Sequence, residues 1–294
     1  MSQIRSTLSS NALLGFTLLC FLLSWGSVVL ILGGMKNFPA RPEQIEEHLP
    51  FIVAATLLGP SISGIVFNLI KYGVNGTYRR LQERMIWNPA HLALFFFAPT
   101  VISSVLCVLS ILVSDDKYEP AILTTATAEG KLSLLLLGSG YGAAAGTFEE
   151  IGWTFFATPE LLKKLSALDT GIVLGLVWGF WHFLVAIWGS GDADGNFSMD
   201  QFLPWIPWNT IVLPLYRVLM VQVYRKTNSL IPMIIMHASL TASLPFILMP
   251  RISGIALASF YSLVAVALGS ILFCLSLFHP SGTLAVIAKK KKVT

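Results

Sequence analysis

The feature that most constrains this chain is a series of eight stretches long and apolar enough, or nearly so, to cross a bilayer. They run over roughly 11–34, 50–70, 91–113, 131–158, 170–190, 207–224, 229–249 and 254–279. About 20 mostly apolar residues span the hydrocarbon core as a helix, and lipid offers the backbone no outside hydrogen-bond partner. The pattern predicts an all-α, polytopic membrane protein of about eight transmembrane helices, built as a single integral membrane domain over residues 1–294. Only 12% of the residues are charged. Soluble domains carry roughly 25%, so a soluble class is excluded.

The charges orient the spans. With a cytoplasmic N-terminus and alternating spans, the cytoplasmic segments hold 13 of the 19 basic residues, among them Arg79, Arg80, Arg84, Lys163, Lys164 and the run Lys289 to Lys292. The opposite side collects acids, Asp115, Asp116 and Glu119 in one loop and Asp192, Asp194 and Asp200 in another. This is the positive-inside bias, and it predicts that both termini are cytoplasmic. A sequence pI near 9.0 suggests nucleic acid as a partner at first sight. The basic residues sit in short clusters between apolar runs, so the expected partner is the lipid bilayer, with no nucleic acid. Residues 36–49 read as a Pro-broken outer loop that can carry a short interfacial helix, and 71–89 as the longest cytoplasmic connection. The N-terminal apolar stretch lacks a small-residue cleavage site and reads as a first span. Cys20, Cys107 and Cys274 lie in apolar runs without metal-ligand spacing.

Ionisable residues inside spans are costly, by about 2.5 kcal/mol or more each on insertion scales, and point to function. Five stand out: Glu149, Glu150, His182, Arg217 and His237. At about 1.5 Å per residue they fall at similar depth, roughly 10–18 Å from the cytoplasmic ends of their spans. Four helices thus deliver polar groups to one layer, which predicts a polar cavity facing the cytoplasm. Gly138, Gly142 and Gly146 recur every fourth residue, giving the fourth span a small face for close helix approach. Adjacent Glu149 and Glu150 project about 100° apart, so one faces the cavity while the other bonds a neighbouring helix. Trp178 lies one turn before His182 and can wall the same site. His48, His91 and His279 are expected at the membrane boundaries.

Three chemistries fit these residue types. A buried carboxylate beside imidazoles can draw a proton from water and support hydrolysis. Glu149, His182 and His237 can also be ligands of a divalent metal such as zinc, although there is no HExxH and each comes from a different span. Buried carboxylates equally suit a proton-coupled transporter.

The order and flanks of three motifs carry a resemblance. The first reads Glu149-Glu-Ile-Gly-Trp153-Thr154, the second Trp178-Gly-Phe-Trp-His182, the third His237-Ala-Ser-Leu-Thr241. With Leu58-Gly-Pro60 and the Tyr-Arg-Lys-Thr-Asn turn before the third, the chain resembles the CPBP family over roughly 50–245. These are the CAAX proteases and bacteriocin-processing (Abi) intramembrane proteases. The resemblance implies an intramembrane endopeptidase with a conical cavity, and a membrane-associated peptide or protein as its partner. Glu149 is then the general base, His182 its partner in activating water, His237 an oxyanion donor and Glu150 a helper orienting the site. It leaves metal-dependent and metal-free glutamate mechanisms both open. Two positions depart from the family pattern: Thr154 stands in place of an Arg and Thr241 in place of an Asn. Arg217, at similar depth, is expected to supply the missing countercharge to Glu150, and Thr241 a hydroxyl in the oxyanion position. The departures keep open a catalytically silent relative that acts as a scaffold or bacteriocin-immunity protein.

Overall fold

The computed structural model describes residues 11–113 and 116–278. Every described element of more than isolated bridges is helical. The main helices are α1 (Ala12–Ile31), α2 (Pro42–Arg84), α3 (Phe97–Val113), α4 (Ala128–Gly152), α5 (Thr158–Leu162), α6 (Ala167–Trp188), α7 (Leu213–Thr227), α8 (Ile231–Ala242) and α9 (Gly254–Phe278). Leu14, Leu18, Leu22, Ile111, Leu112 and Leu136 turn outward, as lipid-facing positions do in a polytopic membrane protein.

Among the described residues, five helical stretches are long and apolar enough to cross a membrane: α1, α2, Pro89–Val113, α6 and Gly254–Leu277. The other three expected spans are also helical, but each differs from that simple description. α4 is 25 residues long, with its apolar character diluted by glycines, serines and the two central glutamates. α7 and α8 have 15 and 12 residues, and the turns preceding α7 and following α8 are π-helical.

Small residues set the packing. A Cβ on Gly142 would lie 2.5 Å from Ala238 O, one on Gly146 2.5 Å from Ile234 O, and one on Gly138 3.0 Å from Ala242 O. The α4 glycine face is therefore the seat of α8, which brings His237 against the two glutamates. A second stripe does the same for α6 and α7. Gly171, Gly175 and Gly179 lie directly against Val218, Pro214 and Asn209, and this contact brings Trp178 over Arg217.

The structure adds detail to three expectations. The helix expected within 36–49 starts at Pro42 and continues through Pro50 and Pro60 into the span, so the non-helical part of the outer loop is short. Proline is well tolerated at the first helical position, where its missing N–H has no helical partner to lose. The connection at 71–89 is helical as far as Arg84, interrupted at Gly73, whose φ of 68° is open mainly to glycine. His91 is buried at 8% exposure, in the 3-10 turn Pro89–Phe96. That turn packs against α8, whereas His48 is partly exposed. His279 lies outside the described residues.

Candidate active site

Glu149 and Glu150 occupy the last turn of α4, and their side chains go to different partners. Glu150 accepts two hydrogen bonds from Arg217, Nη1 to Oε2 and Nη2 to Oε1, each 2.9 Å. His237 Nδ1–H donates to the same Oε1 at 2.7 Å, and the Thr154 hydroxyl donates to Oε2. Both side chains of the ion pair are wholly buried. With four donors the carboxylate is saturated, so Glu150 organises the site and is not presented to a reactant. The guanidinium also lies 4.4 Å under the Trp178 ring. Arg217 thus provides the countercharge expected from its depth. Thr154, which replaces the arginine of the family motif, adds a donor one helical turn beyond Glu150.

Glu149 is held differently. Its Oε2 accepts indole N–H bonds from Trp178 at 2.8 Å and Trp153 at 3.2 Å. Its Oε1 lies 3.8 Å from His237 Nε2. One oxygen is anchored by two neutral donors and the other is left toward the imidazole. His237 therefore bridges the two carboxylates, with Nδ1 on Glu150 and Nε2 toward Glu149.

His182 donates from Nδ1 to the Trp178 carbonyl one turn earlier, at 2.9 Å. A carbonyl only accepts, so the bond places the proton on Nδ1, and neutral His182 keeps a lone pair on Nε2. Its ring is flanked by Trp181, 4.7 Å away between centroids, and by Trp178 at 5.7 Å.

Glu149, Trp178, His182, His237 and Thr241 line a cavity of about 320 Å³, with Leu57, Trp205 and Trp208 among its apolar walls. Glu150 and Arg217, although central to the constellation, stand behind this wall. A larger apolar groove of about 560 Å³ runs along α2 and α4, past Pro50, Leu58, Leu136 and Phe148. It shares Val53, Leu57 and Tyr141 with the polar cavity. Tyr141 stacks on Phe246 at 5.0 Å and 6°, at the boundary of the two spaces.

Two contributions were missed in the sequence. Trp153 and Thr154 are more than motif letters, because the i, i+4 pairs 149/153 and 150/154 place each beside one glutamate. The signal was that spacing. Among the described residues, no group of three or more His, Cys, Asp or Glu side chains is placed to hold a metal ion. Glu149, His182 and His237, the expected ligands, line one cavity without converging as a coordination set.

Residues 131–243 match the family model of Rce1-like proteins, the type II CAAX prenyl endopeptidases. That interval contains both glutamates, Trp178, His182, Arg217, His237 and Thr241. A 39-residue stretch of the chain is 41% identical to CAAX prenyl protease 2 of Methanococcus maripaludis. The match spans 13% of this chain and 14% of that relative. The matched segment contains the helices that carry the polar side chains of the cavity, α4 and α6 to α8, while Leu49, Val53, Thr56 and Leu57 of α2 and Tyr261 of α9 complete its lining. The helices α1 to α3 and α9 lie outside the matched segment.

Proposed function

We propose that the protein is an intramembrane endopeptidase that hydrolyses a peptide bond near the C-terminal end of a membrane-anchored, CAAX-type substrate. The observation that carries this reading is the asymmetric pair of glutamates. One is saturated and fixed, and the other presents a free oxygen beside an imidazole at the wall of a polar cavity. A transporter would need a path for its cargo. A hydrolase needs a poised base, an electrophilic partner and room for one bond and one water.

In the proposed reaction a water sits between Glu149 Oε1 and His182 Nε2. Glu149 accepts one proton as the oxygen attacks the scissile carbonyl carbon. His182, accepting through Nε2, orients the attacking lone pair. Negative charge then gathers on the former carbonyl oxygen. The Thr241 hydroxyl is the neutral donor to it, and His237 donates from Nε2 as the imidazolium, because its Nδ1–H is committed to Glu150. Collapse breaks the C–N bond, and Glu149 returns its proton to the leaving nitrogen, so atoms and charge balance. Donors preset to a developing oxyanion are typically worth 10²–10³ in rate each, about 3–4 kcal/mol. No step in this reaction is assigned to a metal.

The apolar groove beside α2 and α4 supports a lipid-modified substrate. A prenyl chain in the groove and a peptide in the polar cavity would meet at Val53, Leu57 and Tyr141. The named relative is a prenyl protease, which agrees with that arrangement. The test is cleavage, in reconstituted vesicles, of two peptides identical except for a prenylated cysteine. The reading predicts cleavage of the prenylated peptide and little or none of the other. Equal cleavage of both would remove the groove from the account, and cleavage of neither would count against the substrate class.

A further inference from the structure

The chain carries a second concentration of charge away from the cavity. Segments 71–84, 160–169 and 225–226 hold eight lysines and arginines against three carboxylates, Glu83, Glu160 and Asp169. Glu160 is saturated, taking Lys71, Lys163 at 2.6 Å and the Tyr72 hydroxyl at 2.7 Å. Asp169 accepts from Ser166 at the start of α6. Glu83, on the same segment as the arginines, makes no ion pair with either.

Arg80 and Arg84 are therefore left as two guanidiniums one helical turn apart, with no carboxylate on either among the described residues. Each lies on an aromatic face, Arg80 4.0 Å from the Tyr72 ring and Arg84 5.6 Å from the Tyr224 ring. The Nε of each is buried and without a partner, and Arg84 Nη1 reaches only the Asn228 carbonyl, at 3.4 Å. Like charges at i, i+4 repel. Two guanidiniums one helical turn apart on one segment, each resting on an aromatic face, can together receive a phosphate. On the same segment, beyond the break at Gly73, Val74, Tyr78, Leu81 and Met85 form an exposed apolar stripe at helical spacing, continued by exposed Trp87. A basic pair beside such a stripe is the pattern of a helix lying at the lipid interface.

We propose that Arg80 and Arg84 bind the phosphate of an anionic glycerophospholipid, whose acyl chains pack along Val74, Tyr78, Leu81 and Met85. The lipid phosphate supplies the countercharge that the protein lacks there, and the stripe selects a lipid over free phosphate. This site does not depend on the proposed peptidase activity. Its occupancy would fix the segment that carries Tyr72, and through Glu160 the helix α5 that follows the site turn Trp153–Ala157.

The test is native mass spectrometry of the full chain in micelles that contain phosphatidylglycerol and phosphatidylcholine in equal amounts. The wild type should retain phosphatidylglycerol in clear preference. R80Q/R84Q should lower that preference by about tenfold, the worth of one to two basic groups at an anionic surface. The charge-preserving R80K/R84K should lower it less, by about threefold, since the planar fork is lost. It also serves if the glutamine variant does not fold. Parity of the two lipids on the wild type would overturn the proposal. So would an unchanged preference in R80K/R84K together with R80Q/R84Q, or thermal stabilisation by inorganic phosphate alone equal to that by phosphatidylglycerol.

Discussion

Replacing Arg217 with methionine keeps most of the side-chain volume and removes the charge from a pair in which both partners are wholly buried. The change deletes two charge-assisted hydrogen bonds to Glu150 and the contact with the Trp178 ring. It leaves Glu150 with only His237 and Thr154. Breaking a buried pair from one side costs about 3–5 kcal/mol, mostly because a charge is left uncompensated. For a chain of this size that corresponds to a fall of about 6–20 °C in the thermal midpoint. Adding Glu150→Gln removes the stranded charge, so R217M/E150Q should recover about 1–3 kcal/mol relative to the sum of the single changes. The assay is heating of detergent-purified protein followed by size exclusion, with wild type, both single variants and the double variant treated identically. Additive losses would refute the reasoning, because they would mean that the two residues stabilise the fold independently of each other.

Three further outcomes follow from the geometry. Trp178→Phe removes one of the two indole donors on Glu149 Oε2 and should cut peptide cleavage by about 10–100-fold, with a loss of about 1–3 kcal/mol in stability; a variant with full activity would show that Glu149 needs no such anchor. Gly142→Leu places a side chain against the α8 backbone, where even a Cβ would come within 2.5 Å of Ala238 O, so it should abolish monodisperse protein, whereas Gly140→Leu, with open space around it, should not. Burial alone would raise the pKa of Glu160, but hydrogen bonds from Lys163, Lys71 and Tyr72 outweigh it and hold the carboxyl below its ordinary 4.5. A lowered folded-state value means that this stabilisation is present above about pH 4.5 and is lost as the pH falls through the lowered value. Thermal stability of the wild type should therefore drop more steeply than that of Glu160→Gln below that pH, and parallel curves would contradict the assignment.

Much of the site was legible because the membrane makes polar residues conspicuous. Glu149, Glu150, His182, Arg217 and His237 stand out against apolar neighbours, and the family resemblance, in which Thr154 replaces an arginine, together with similar depth pointed Arg217 to Glu150. The glycines at 138, 142 and 146 likewise announced a close helix contact. The equivalent stripe at 171, 175 and 179 went unread, although it has the same spacing, because its partner is a side of α7 that shows no matching pattern. Prolines misled at the start of α2, since Pro42 reads as a loop residue until its place at a helix N-terminus is known. The continuation of α2 past Gly73 was hidden by charge, because a basic amphipathic helix and a solvated loop have similar composition. The burial of His91 depends on where α8 lands, and no local signal carries that. The roles of Trp153 and Thr154 were available from helical spacing. They were overlooked because indoles and hydroxyls in a membrane chain usually serve packing.

The most direct test of the central claim is a comparison of newly formed peptide termini in membranes that express wild type, Glu149→Gln or His182→Ala at matched protein levels. The proposed mechanism predicts termini that appear with the wild type and are depleted by about 10²-fold or more when the base is removed. They should also be reduced when the imidazole is removed. Profiles that match in all three membranes would contradict hydrolysis at this site and leave the buried carboxylates with a scaffolding role.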